Sequence, residues 1–401
     1  MKSFRLKKIL FLVSIFLFLP YLTLSAQIKP ESSNLNNKSF FTSSIDKGID
    51  YLYNLDFDKA KLELNKAIEA DKENPAGYFY TAMVYWERIL SNPYDKEAFN
   101  LFQEWTSKSI EVAEKRIKEK GKDSESLFYL GGSYGFKARR DLIKKDWWQA
   151  LWNARKGRFY LKEAFELNPQ NYDTYLGLGM YDYFLDKMPK IIKFFSFFLS
   201  LSGNKTLGLE ELTKCATQGK FAKTEAKYVI VSIYTYLEKD YSKALPFAIE
   251  LNEKYPRNPR FYYTTAIVYS KMKIWDEALK LTDEISEKTK KGEPNFTSDW
   301  IPKVDYLKGE IYREKQNYSQ ALSFYNLAIN SDLAKDTWVL PWSNLRIGMI
   351  FDLLGQRKMA VAKYKKVLEL KDISEENTYA HEFAKKYLSS PYSKNESEVP
   401  E

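Results

Sequence analysis

Pro302 to Asp332 reads PKVDYLKGEIYREKQNYSQALSFYNLAINSD. Its small residue is Gly309; Tyr312 lies three positions on, Ala321 twelve on, and Tyr325 and Ala328 follow. The spacing predicts a helix, a tight turn at Gln316-Asn317, and a second, antiparallel helix. Gly309 and Ala321 are expected at the crossing, small because the two backbones come close there. Tyr312 and Tyr325 are expected to fill the space beside it. One such pair cannot bury its apolar face alone, so the pattern should recur along the chain.

It does recur. The same twelve-residue interval separates small residues in Gly48–Ala60, Ser232–Ala244, Ala266–Ala278 and Gly348–Ala360, and Ser232 to Ala266 is 34 residues. The pattern resembles the tetratricopeptide repeat, a helix pair of about 34 residues. The resemblance covers most of Ile45 to Leu370. It implies an all-α, right-handed superhelical solenoid of about eight helix pairs, with a capping helix over Glu375 to Leu388.

Two hairpins depart from the pattern. Gly131 to Gly157 is 26 residues, an excess of 14 placed around Arg139 to Trp152. Gly179 to Gly208 is 29, an excess of 17 that contains Pro189 and the run Ile191 to Leu201. The expected organisation is a signal peptide over 1–26, a flexible leader over 27–43, an N-terminal repeat block with both insertions over 44–222, a C-terminal block with its capping helix over 223–388, and a disordered tail over 389–401.

The first residues carry Lys2, Arg5, Lys7 and Lys8, then an apolar run from Ile9 to Leu19, then Leu24-Ser25-Ala26 before Gln27. That is the order of a secretory signal peptide cleaved after Ala26. An uncleaved anchor is the rival, but Ile9 to Leu24 is broken by Pro20 and falls short of the roughly 20 residues needed to span a bilayer. The chain is expected to be exported, periplasmic or bound to the cell envelope. Loss of the four cationic residues lowers the net charge from +9 to +5, no excess of the kind that binds nucleic acid.

Cys215 is the only cysteine and His381 the only histidine. No disulfide can form within the chain, and a Ser-His, Cys-His or multi-histidine metal site has little to be built from. Cys215 takes a small packing position, and His381 lies in the terminal helix. No carboxylate pair has the spacing of a catalytic dyad, and no glycine-rich phosphate loop is present. Neither cofactor nor metal is expected, and the protein is expected not to be an enzyme.

A second resemblance is local. Tyr175 to Leu212, YLGLGMYDYFLDKMPKIIKFFSFFLSLSGNKTLGLEEL, is similar to a stretch of the tetratricopeptide-repeat-39 / inclusion-body-clearance family. That family has a Gly-x-Gly helix, Leu-Pro and an apolar run, Gly-Asp-Arg, and a Gly-Leu-x-x-Leu helix. Met188-Pro189 stands for Leu-Pro here. Gly203-Asn204-Lys205 stands for Gly-Asp-Arg and lacks its acid. The resemblance implies no catalytic residue and hints at apolar or lipid-linked cargo.

In tetratricopeptide repeats the first helix of each pair lines a concave groove. Carried onto this chain, the inward positions are Phe79, Met83, Trp86, Phe128 and Phe136, then Leu176, Met180, Tyr183 and Phe184, then Val229, Ile233, Tyr236 and Tyr263. The Lys and Asn with which some relatives clamp a peptide carboxylate are replaced by Leu176, Met180, Val229 and Ile233. Two readings follow: an apolar cradle for a partner's helix or extended peptide, or a groove that the chain fills with its own inserted segments.

A different class is a membrane-surface protein. It would use Phe194 and Phe198 in the run Ile191 to Leu201, and Trp147 and Trp148 in the Arg- and Lys-rich stretch 139–158. Against it stand burial of the short run in the core and a solvated helix face over buried tryptophans.

Overall fold

A computed structural model of the chain describes residues 35–92, 95–144, 146–187, 203–334, 337–370 and 375–394. Among these residues there are seventeen α-helices and no strand. The chain divides into two compact units, Met1–Ile230 and Val231–Glu401. The stretch 1–26 read as a signal peptide, the run Ile191 to Leu201 with Phe194 and Phe198, and the end of the tail from 395 lie outside the described residues.

The first unit holds α1 (Leu35–Tyr53), α2 (Phe57–Ala70), α3 (Pro75–Ser91), α4 (Lys96–Lys120), α5 (Ser124–Ile143), α6 (Trp147–Leu167), α7 (Thr174–Lys187) and α8 (Lys205–Gln218), and α9 (Lys223–Ser232) begins in it. From α1 to α8 each helix packs on the next, and α1, α3, α5 and α7 also touch in a row. That second set of contacts marks a stack of hairpins, in which each pair covers the apolar side of its neighbour.

The second unit repeats this arrangement. A π-helical turn (Ile233–Glu238) leads to α10 (Tyr241–Lys254), α11 (Pro259–Lys271), α12 (Trp275–Lys290), α13 (Trp300–Glu314), α14 (Tyr318–Asn330), α15 (Val339–Leu353), α16 (Arg357–Glu369) and α17 (Glu375–Ser389). Here α11, α13, α15 and α17 form the row. Fixed starts come from side chains: Asn258 accepts the Arg260 N–H at 3.1 Å beside Pro259, and Asn317 accepts the Gln320 N–H at 3.2 Å.

The turns carry the clearest sign of repetition. Leu55 (φ 57°), Lys239 (54°), Lys273 (62°), Gln316 (59°) and Gly355 (72°) are all left-handed. Each lies seven residues after the small residue of its repeat: Gly48, Ser232, Ala266, Gly309 and Gly348. Only one of the five is glycine. The other four carry a Cβ in a conformation that costs L-residues about 1–2 kcal/mol, so helix packing, not local preference, sets the turn.

Small residues make room in two ways. A Cβ on Gly309 would stand 2.6 Å from the Tyr325 ring, one on Gly348 2.5 Å from Tyr364, and one on Gly48 2.6 Å from Leu64. In these short hairpins the space over the glycine is taken by a side chain sixteen residues on. The reason expected for Gly309, backbones in close approach, applies instead to the long hairpins. There a Cβ on Gly131 would meet the Gly157 carbonyl oxygen at 2.8 Å, and one on Gly179 that of Gly208 at 2.7 Å.

Three boundaries differ from expectation. Helix α1 starts at Leu35, inside the stretch read as a leader, because buried Phe41, Ile45, Ile49 and Leu52 continue one helical face. The excess in the third hairpin is no separate segment: α5 and α6 simply run on past their crossing to meet near Lys144. The start of the tail is tied down. The Tyr392 N–H donates to Asp352 Oδ2 at 2.9 Å, and Arg357 Nη2 donates to the carbonyls of Tyr387 (2.7 Å) and Leu388 (2.8 Å) at the end of α17.

Candidate partner-binding cavity

The first unit contains a cavity of about 70 Å³. Phe79, Met83 and Trp86 line it from one face of α3, spaced four and three residues apart. Phe128, Gly132 and Phe136 come from α5, and Leu176, Gly177 and Met180 from α7. Seven of the residues expected to face a groove are therefore brought together here. Ring pairs fix the wall: Phe79 and Phe136 stand at 5.8 Å and 71°, Trp86 and Phe136 at 5.5 Å and 75°. Such edge-to-face pairs stiffen the aromatic surface.

The remaining expected positions lie elsewhere. Tyr183 and Phe184 are buried side by side, 5.0 Å apart and edge to face, in the packing of α7, and do not reach the cavity. Ile233, Tyr236 and Tyr263 belong to the second unit. There Ile233 is buried, Tyr236 exposed, and Tyr263 packs on Trp300 at 5.7 Å while its hydroxyl donates to the Lys303 carbonyl at 3.2 Å. Trp147 starts α6; its side chain lies outside the described residues. Trp148 and Trp152, expected to be buried, are 83% and 55% exposed.

The polar side of the cavity has no signature in the local sequence. Arg139 lies over the rings of Trp86 (4.9 Å) and Phe136 (5.1 Å), and its Nη1 meets Glu225 Oε1 at 2.9 Å. The Tyr53 hydroxyl donates to the other oxygen of Glu225 at 3.5 Å. Arg139 and Glu225 are 86 residues apart in sequence, with no pattern to link them. Trp86 is buried, and its indole N–H has no hydrogen-bond acceptor among the described residues.

Asp173 holds this edge in place. Its buried carboxylate accepts the backbone N–H groups of Lys220 (2.8 Å), Phe221 (3.1 Å) and Ala222 (3.0 Å). Phe221, Ala222 and Glu225 all line the cavity. Burial pushes the Asp173 pKa up, and the three N–H groups counter it only in part. Burial likewise pushes the Cys215 thiol well up, so it stays protonated and serves as packing. No group of three or more His, Cys, Asp or Glu among the described residues could hold a metal ion.

Residues 306–335 match the family model described as tetratricopeptide repeat. Three solved structures show similarity over much of the chain. The C-terminal part of a TPR repeat-containing protein from Cytophaga hutchinsonii is 18% identical, covers 73% of this chain and 96% of its own, and has a TM-score of 0.36. The human IFIT1 dimer with m7Gppp-AAAA is 13% identical over 87% of this chain and 85% of its own, at 0.42. A Rap protein complexed with Competence and Sporulation Factor is 14% identical over 88% and 99%, at 0.39. No curated protein matches the chain.

Proposed function

We propose that the protein is a non-catalytic interaction scaffold, exported to the cell envelope, whose first-unit cavity receives an apolar side chain from a partner peptide or helix. Stacked repeat hairpins present extended surfaces for proteins, and residues 306–335 carry such a repeat. Export rests on the order of basic, apolar and small residues in 1–26. One observation carries the binding site: an apolar hollow walled by Phe79, Met83, Trp86, Phe136 and Met180 beside a buried, unused indole N–H. An apolar cavity of about 150 Å³ holds benzene, so 70 Å³ suits the branched end of a Leu or Ile.

Crosslinking pull-down from the envelope fraction tests this. Met180→Trp fills the hollow from a half-buried position without removing core atoms. Loss of the crosslinked partner from that variant is expected. The same partner recovered at the same yield would show that the cavity is not the contact.

A second reading, membrane-surface association, is favoured by the exposure of Trp148 and Trp152. No helix among the described residues is long and apolar enough to cross a membrane.

A further inference from the structure

The α5–α6 hairpin ends in a surface that no packing requirement explains. Its helices cross at Gly131 and Gly157, and α5 then runs on to Ile143 while α6 begins at Trp147. Trp148 (83% exposed) and Trp152 (55%) sit one helical turn apart on α6, and Ile143 is exposed at the end of α5. Tryptophan is rarely so open, and a cluster of exposed apolar side chains marks an interaction surface.

The charge around it is one-sided. From Lys137 to Arg158 there are eight Lys and Arg against Asp141 and Asp146. Both acids are occupied: Asp141 pairs with Arg140 and accepts from Asn153 at 2.6 Å, and Asp146 caps α6 by accepting the Gln149 N–H at 3.2 Å. Arg139 is held by Glu225, and Arg158 stacks on Tyr181 at 3.3 Å. Lys144 is exposed beside the tip, and Lys156 Nζ stands 5.9 Å from the Trp152 ring.

Resting on the second reading above, we propose that this hairpin tip docks on an anionic lipid surface. Trp148 and Trp152 would sit in the headgroup layer, and Lys144 and Lys156 would reach lipid phosphates. Amphipathic indoles favour the bilayer interface, and each nearby lysine adds attraction to an anionic leaflet. The excess positive charge selects anionic over neutral lipid.

Co-sedimentation with two kinds of vesicle decides it: phosphatidylcholine alone, and phosphatidylcholine with about 30 mol % phosphatidylglycerol. The mature chain from Gln27 is used throughout, so that the basic and apolar residues of 1–26 contribute to binding in no sample. Binding should be stronger to the anionic vesicles and weaken with salt, and Trp148→Ala/Trp152→Ala should reduce it about tenfold or more. Thermal unfolding of the double variant should be unchanged, since both indoles face solvent. Anionic vesicles bound equally by parent and variant would overturn the tip and leave membrane association to another segment. Equal binding to both vesicles would overturn the anionic preference. No binding to either, or capture of an acidic protein through the tip instead, would remove the membrane reading altogether.

Discussion

Arg346 on α15 and Glu310 on α13 form an ion pair of 3.0 Å between two side chains that are 2% and 8% exposed. Glu310 also takes Arg313 at 3.1 Å and accepts the hydroxyl of Tyr325 from α14. Three helices of the second unit thus converge on one carboxylate. Burial alone would raise its pKa, but Arg313 and then Arg346 hold it well below the ordinary carboxylate value.

Glu310→Gln should therefore cost the second unit about 3–5 kcal/mol, because the buried Arg346 loses this ion pair while Arg313 keeps Glu314 at 2.6 Å. The sign of the pH dependence follows. A depressed folded pKa gives stability that is complete above the unfolded value, 4.5, and lost as pH falls below it. Denaturant titrations of parent and variant should converge as pH drops through the acid range. A difference that stays constant from neutral pH into acid would show that the charge is not the stabilising feature.

That network marks a limit of sequence reading. Gly309, Ala321 and Tyr325 announce the hairpin because their spacing is a property of one helix pair, and five left-handed turns recur seven residues after the small residue for the same reason. Glu310, Arg313 and Arg346 look like surface charges of a Lys- and Glu-rich chain, and only packing between neighbouring repeats brings them inside. The cavity divides in the same way. Its apolar wall follows from helical spacing along α3, α5 and α7. Its polar edge depends on Glu225 folding back toward Arg139, and nothing in the local pattern of either residue encodes that contact.

Glu211 on α8 gives a pH dependence of opposite sign in the first unit. Burial, then the neighbouring Asp182, raise its pKa to about 7 against the pull of Arg158. The folded chain keeps a proton there that the unfolded chain releases above the ordinary carboxyl value of 4.5. Stability should fall as pH rises between those values and level off above the upper one. The full effect is at most about 3 kcal/mol, at 1.36 kcal/mol for each pKa unit. Glu211→Gln should flatten the profile and make the first unit more stable than the parent at pH about 8. Calorimetry across this range would refute the assignment if the variant kept the parent's slope.

Asp173 tests how the cavity edge is positioned. Removing its carboxylate in Asp173→Ala leaves the N–H groups of Lys220, Phe221 and Ala222 without their acceptor inside the fold, a loss of roughly 2–4 kcal/mol. Asp173→Asn should cost less, because an amide oxygen can still accept from the same turn. Hydrogen exchange reads the local effect. The amides of residues 220–222 should lose protection in the Ala variant, while those in the middle of α3 and α5 exchange as in the parent. Phe221 and Glu225 would lose their fixed places beside the hollow, so partner capture should weaken even where the unit remains folded. Unchanged protection at Phe221 and Ala222 would mean that the turn is held by its own packing, and that Asp173 merely fills a buried gap.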